Sequence, residues 1–148
     1  MYIIKDIIES QLTRFTRLND LVMFTFLRTN GEKVYIHASC FIRIYKSDSI
    51  VICTQDMLRR SEKLTKKQKF DWTKVGGTLF DDTVDENRDE IFSARVISAE
   101  FCGKDLKIYF NNNMRIEILE HITTSDDPDY SENYRIFDDN KDKEHCSL

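Results

Sequence analysis

Leu21-Val22-Met23-Phe24-Thr25-Phe26-Leu27, Arg28-Thr29-Asn30-Gly31-Glu32 and Lys33-Val34-Tyr35-Ile36-His37-Ala38 form the stretch that decides the fold class. The first seven residues are rich in β-branched and aromatic side chains, which suit a pleated, half-buried surface. Asn-Gly between two such runs is the strongest short-range hairpin signal, because both residues tolerate the positive φ of a tight turn. In the return run Val34 and Ile36 alternate with Tyr35 and His37, the period of a strand with one buried face.

Working outward, residues 40–45 (CFIRIY) continue in β character, residues 46–49 turn the chain, and residues 50–53 give a further short strand. Upstream, residues 12–18 are strand-like, and apolar residues three to four apart in residues 3–8 (IIKDII) permit a short helix. This first half reads as an antiparallel meander. A second half repeats its plan. Residues 93–101 lead to a turn at Cys102-Gly103-Lys104-Asp105; Leu106, Ile108 and Phe110 then alternate with Lys107 and Tyr109. Asn111-Asn112-Asn113 makes the hairpin, Met114, Ile116 and Ile118 return, and Tyr134-Arg135-Ile136-Phe137 matches Ile42-Arg43-Ile44-Tyr45. One short repeat cannot bury its own face, so two copies packed together close the core.

The expected architecture is therefore mainly β: two pseudo-repeated antiparallel meanders packed as a small sandwich or partly open barrel, with a long charged connection. Residues 1–138 form one domain, with a first half over about 10–56, an insert over about 57–90 and a second half over about 93–138. Residues 139–148 are expected to be a frayed tail. Within the insert, residues 59–74 hold seven basic side chains, and residues 81–90 hold six carboxylates against Arg88. The insert is expected to lie over the strands, pinned by Phe70, Trp72, Leu79 and Phe80, with a short helix over 84–92. Connections of this length are usually functional or mobile.

A net charge of −4 argues against a surface that binds phosphate backbones all over, and fits a basic partner or no charged partner at all. The opening Met1-Tyr2-Ile3-Ile4-Lys5-Asp6 carries an acid where a signal peptide is apolar, so the expected location is the cytoplasm. Cys40, Cys53, Cys102 and Cys146 show no paired spacing and are expected to be free thiols, three of them buried and the last on the tail.

The order His37, Cys40, Arg43-Ile44, residues 50–56 ending in Asp56, Phe70-Asp71-Trp72, Gly76-Gly77, Phe80-Asp81, residues 103–112 and Tyr134-Arg135-Ile136-Phe137 resembles a group of small bacterial proteins common in Firmicutes. Those proteins carry His-x-x-Cys-x-x-Arg-Ile, Phe-Asp-Trp, a Gly-x-Leu-x-Ile-x-Phe-x-Asn hairpin and Trp-Arg-Phe-Phe. The resemblance spans residues 21–137. It departs at Tyr134, where tryptophan is usual, and after His145, where the usual ordered segment is lacking. It implies the fold layout and a bacterial or phage origin, and carries no activity, catalytic residue or cofactor.

No catalytic set emerges. His37 and Cys40 invite a metal or thiol-imidazole reading, but residues three apart on a strand face opposite ways, and no fourth ligand stands out. Asp56, Asp71, Asp81 and Asp82 are weighed as a carboxylate cluster, yet Phe70-Asp71-Trp72 looks more like an aromatic anchor with an Asp that caps a turn. Arg43 and Arg135 are expected to be structural and equivalent in space, pinning the halves through Asp56, Asp71 or Asp81, with Trp72 as a structural anchor. No cofactor and no metal is expected. The preferred function is a non-enzymatic protein-binding module, an inhibitor or immunity or anti-defence protein of bacterial or phage conflict. Its contacts with a basic target would be Asp81, Asp82, Asp85, Glu86, Asp126, Asp127 and Asp129. The alternative is a nucleic-acid-associated protein or nuclease using Arg59, Arg60, Lys66, Lys67 and Lys69. No membrane partner is expected, and an open sheet edge leaves room for a homodimer.

Overall fold

The computed structural model describes residues 2–120, 134–139 and 146–147. Helix α1 (Tyr2–Asp6) precedes β1 (Gln11–Leu18), β2 (Leu21–Leu27), β3 (Lys33–Ala38), β4 (Phe41–Lys46) and β5 (Ser49–Cys53). A 3-10 turn (Thr54–Leu58) opens the insert, which ends in α2 (Leu79–Glu86). Helix α3 (Arg88–Ser93) then leads to β6 (Val96–Cys102), β7 (Asp105–Phe110), β8 (Met114–Leu119), β9 (Tyr134–Asp138) and the two-residue β10 (Cys146–Ser147). The molecule is mainly β, with two antiparallel sheets packed as a small sandwich and not closed into a barrel.

One sheet runs β1-β2-β3-β9, extended at its edge by β10; the other runs β5-β4-β8-β7-β6. Each copy of the repeat gives its first three strands to one sheet and its last two to the other. The registers match pair for pair. Ile36 faces Ile136, His37 faces Arg135 and Ala38 faces Tyr134 across β3 and β9. Ile116 faces Ile44, Glu117 faces Arg43 and Ile118 faces Ile42 across β8 and β4. Arg43 and Arg135 thus hold equivalent positions, as their sequence context predicts. The halves are not self-contained meanders, however, because β4 and β9 change places. The reason lies at Ser39-Cys40, which join β3 to β4 with neither residue at the positive φ that a two-residue hairpin needs. The chain crosses to the other sheet instead, burying Cys40 on the way.

The equivalence extends beyond the strands. A β-bulge falls between Leu12 and Arg14 in β1 and again between Val96 and Ser98 in β6. Ile7 after α1 and Ile91 in α3 are both fully buried, and α1 packs against β6 while α3 packs against β1. Where the copies meet, the Leu12 amide donates to the Ala94 carbonyl and the Val96 amide donates to that of Ser10, at 3.4 and 3.0 Å. Inward side chains of the two sheets interdigitate: Phe26 of β2 stacks on Phe110 of β7 with ring centres 6.5 Å apart. Among the described residues no helix is long and apolar enough to cross a membrane.

The β1–β2 and β6–β7 turns show how two residues solve one problem. Asn19 adopts φ 55° and Gly103 adopts φ 65°, the left-handed region. A Cβ built on Gly103 would meet nothing within 4 Å, so its cost is purely conformational. Replacing Gly103 by Ala is expected to destabilise the protein by about 1–2 kcal/mol, read as a lower midpoint in urea at unchanged slope.

Candidate functional site

The insert is the part of the described chain with no counterpart in the repeat, and its residues are held with unusual thoroughness. Its two ends meet: the Ser61 amide donates to the Gly77 carbonyl at 3.0 Å, and the Leu79 amide to the Arg59 carbonyl at 2.8 Å. Arg60 ties the interior, donating to the carbonyls of Gln68 at 3.0 Å and Thr65 at 2.6 Å. Asp71 caps a turn by accepting from the Thr73 amide and hydroxyl, as the sequence suggests. A compact surface loop with joined ends is a frequent carrier of function.

The insert is clamped to the sandwich by Arg17, a residue that sequence reasoning passes over. Its side chain is 1% exposed and all five N–H donors are used. Two reach Asp81, at 2.8 Å to Oδ1 and 2.7 Å to Oδ2. The others reach the carbonyls of Asn19 at 2.9 Å, Trp72 at 2.8 Å and Lys74 at 2.9 Å. Asp81 also accepts from the Gly76 amide at 2.9 Å and the Thr78 hydroxyl at 2.8 Å. Burial alone would push this carboxyl up. The hydrogen bonds from Arg17 and Thr78, the Arg17 charge and the Gly76 amide outweigh that and hold it below the usual carboxylate range. Thr78 and Asp81 form a reciprocal capping box that starts α2.

Two expectations for the insert change accordingly. It is more regular than a loop over strands, because the capping box starts a helix at Leu79 rather than at Val84. Phe80, 1% exposed, is the aromatic pin, meeting Phe15 edge-on at 5.8 Å. Trp72 is no buried anchor: it is 36% exposed and contributes its backbone carbonyl to Arg17.

The acidic contacts divide. Asp81 serves the clamp and Asp82 is buried, so neither stands on an exposed acidic loop as expected. Asp85 and Glu86 are exposed on α2. Asp126, Asp127 and Asp129 lie outside the described residues. Among the basic contacts, Arg60 is spent inside the loop, Arg59 reaches Asp56 only at 3.7 Å, and Lys66, Lys67 and Lys69 are exposed. Arg43 pins the halves, though through Glu117 at 2.8 Å rather than Asp56, Asp71 or Asp81. Arg135 faces His37 in the other sheet.

The structure separates the remaining chemistry. The His37 ring stands edge-on to Phe137 on the outer face of its sheet, while Cys40 is buried at the crossover. Burial pushes the Cys40 thiol up to about 12, far from a thiolate at neutral pH. Cys53 donates to Asp56 at 3.5 Å, and burial raises its thiol too. Cys102, expected to be buried, is exposed, because it follows the last inward residue of β6. Among the described residues no group of three or more His, Cys, Asp or Glu side chains is arranged to hold a metal ion.

Between the loop and α2 lies a cleft of about 340 Å³, lined by Phe15, Arg17, Lys63, Val75, Phe80, Asp82, Val84, Asp85 and Arg88 among others. No family model, curated protein or solved structure matches this chain.

Proposed function

We propose that the chain is a non-enzymatic protein-binding module, of the inhibitor, immunity or anti-defence kind in bacterial or phage conflict, and that it docks through the insert. One observation carries the reading. Beside a duplicated sandwich, a deeply buried arginine is committed to holding the insert, which has no counterpart in the repeat among the described residues, in a fixed shape. Burying such a pair is costly unless its geometry is excellent, so rigidity of this surface is what the fold maintains. Asp85, Glu86 and Asp89 stand exposed on α2 and α3 and favour a basic target, with electrostatics setting the rate of encounter. The test is recovery of partners from the native host by the tagged chain over a range of salt. A stoichiometric partner that weakens with salt, and on replacing Asp85, Glu86 and Asp89 by their amides, is the expected result. Absence of any stoichiometric partner at low salt would overturn it.

A second reading rests on a different observation: Lys66, Lys67 and Lys69 are exposed at the loop tip without an ion pair among the described residues. Such a tip suits a nucleic-acid backbone. Neutralising all three is expected to reduce the slope of log affinity against log salt by roughly 2–3, since each phosphate contact contributes about 0.7–0.9. No mobility shift with DNA or RNA at low salt removes this reading.

A further inference from the structure

A carboxylate that receives no hydrogen bond from its own protein keeps its acceptor sites open to a ligand. The side chain of Asp82 is 8% exposed and lines the cleft, yet its carboxylate accepts no hydrogen bond from any described residue. Its nearest described cation is Lys63, whose Nζ stands 3.8 Å from Asp82 and 3.7 Å from Asp85. Both separations exceed hydrogen-bonding reach. Lys63 is 59% exposed and forms a long ion pair with each of the two acids, so an incoming cation competes with a side chain that already reaches solvent.

The walls around these acids are mixed. Phe15, Val75, Phe80 and Val84 supply the apolar part, with Phe15 edge-on to Phe80, and Thr16, Arg17 and Arg88 stand among the polar part. An acceptor-only carboxylate in a cleft that also presents Phe15 and Phe80, with a second carboxylate close enough to share one cation, defines a complementary ligand. It needs a positive head with several N–H donors and an aliphatic stem. The volume of about 340 Å³ falls in the range of small-ligand sites.

We infer that the cleft between the basic loop and α2 is a binding pocket for an alkylguanidinium or alkylammonium group, with Asp82 as its anchor and Asp85 as its second acceptor. A guanidinium is favoured over an ammonium, because its planar fork can donate to both carboxylates at once. Lys63 is the resident cation that an incoming group displaces, and Arg88, ion-paired to Asp85 at 3.7 Å, borders the opening. Arg17 takes no part, since every one of its donors is already used. The inference names the partner chemistry of the insert face, an arginine or lysine side chain, and in that respect rests on the protein-binding reading above. The same chemistry carried by a free guanidino compound, and more weakly by a polyamine, would fit the pocket too.

The experiment is titration of the full chain with N-acetyl-arginine amide, agmatine and butylammonium, followed by amide chemical shifts, with N-acetyl-citrulline amide as the neutral isostere. The expected result is saturable shifts confined to residues near 15–17, 63 and 75–88. Citrulline should have no effect, and the guanidinium should bind more tightly than the ammonium. Asp82→Asn is expected to weaken binding by about tenfold or more, and Lys63→Met to strengthen it several-fold by removing the competitor. The second variant changes an exposed side chain, so it reports on the pocket even where Asp82→Asn perturbs folding. Tighter binding of the capped arginine assigns the cation to a partner protein, and tighter binding of agmatine to a small molecule; both support the pocket. It is overturned by no saturation up to about 10 mM, by equal shifts with citrulline, or by unchanged affinity in Lys63→Met. Failure here with a partner recovered from the host would leave the protein-binding reading intact, and the converse result would leave the pocket intact.

Discussion

A chain ending at residue 133 is expected to lose cooperative folding altogether, although it retains every residue of the first half. The truncation removes β9, which lies between β3 and β10 in the sheet otherwise built from the first half. Tyr134 and Ile136, each 1% exposed, leave the core, and β3 becomes an open edge along five paired positions. Burial of an aliphatic side chain such as Ile136 contributes about 1.5–3 kcal/mol, and each ladder hydrogen bond about 0.5–1.5. With the larger Tyr134 added, the loss approaches the whole stability of a typical domain, about 5–15 kcal/mol. Amide spectra and a thermal melt of the truncated chain give the answer. A dispersed spectrum with a sharp melt would mean that the first half is self-contained after all, and that the exchange of β4 and β9 is wrong.

Replacing Arg17 by Met should destabilise the protein by about 3–5 kcal/mol, because the change strands a buried Asp81 without its counter-charge. For a domain of this size each kcal/mol is worth about 2–4 °C, so the melting temperature should fall by roughly 6–20 °C. Three carbonyls, of Asn19, Trp72 and Lys74, lose their donor at the same time. Amides of the clamp, those of Gly76 and Thr78 above all, should exchange with solvent faster than those of the sandwich core. A double variant that also carries Asp81→Asn should recover part of the loss, since no buried charge is then left unpaired. A melting temperature within a degree or two of the parent would show that the clamp carries no weight.

The same pair predicts a pH dependence with a definite sign. The Asp81 carboxyl titrates below its unfolded value, so its contribution is present above the ordinary aspartate value of about 3.9. It is lost as the pH falls through the lower value that the folded protein imposes, since the unfolded chain then binds the proton more readily. Acid unfolding should therefore set in at higher pH for the parent than its other carboxylates alone would require. The variant with both Arg17→Met and Asp81→Asn should lack that component. Identical acid-unfolding slopes in the two proteins would remove Asp81 from the account.

How much of this was legible in the chain follows from the range of the forces involved. Alternation of Leu106, Ile108 and Phe110, the hairpin asparagines and the Ile42-Arg43-Ile44-Tyr45 echo in Tyr134-Arg135-Ile136-Phe137 are local, and they identified the strands and the duplicated plan. The capping box at Thr78 and Asp81 is local too, and it carries the signal that places the start of α2. The role of Arg17 has no such signature. A bulge after Leu12 shifts the phase of β1 and turns Arg17 inward, to the position where the second copy has Phe101. Simple alternation cannot follow a residue across a bulge.

The binding site was legible only in its ingredients. Asp82 and Asp85 stand out in the sequence as members of an acidic run, but nothing in that run tells which acid is buried at the cleft and which faces water. That depends on Phe15 arriving from a strand more than sixty residues earlier, and on Phe80 meeting it. By itself the sequence determined the strand periods, the turns and the existence of two copies, because each is written in side chains a few residues apart. The tertiary structure alone decided that the copies exchange their last strands and that Arg17 locks the insert. Those outcomes depend on which distant surfaces can bury one another, and on which buried charges can find a partner.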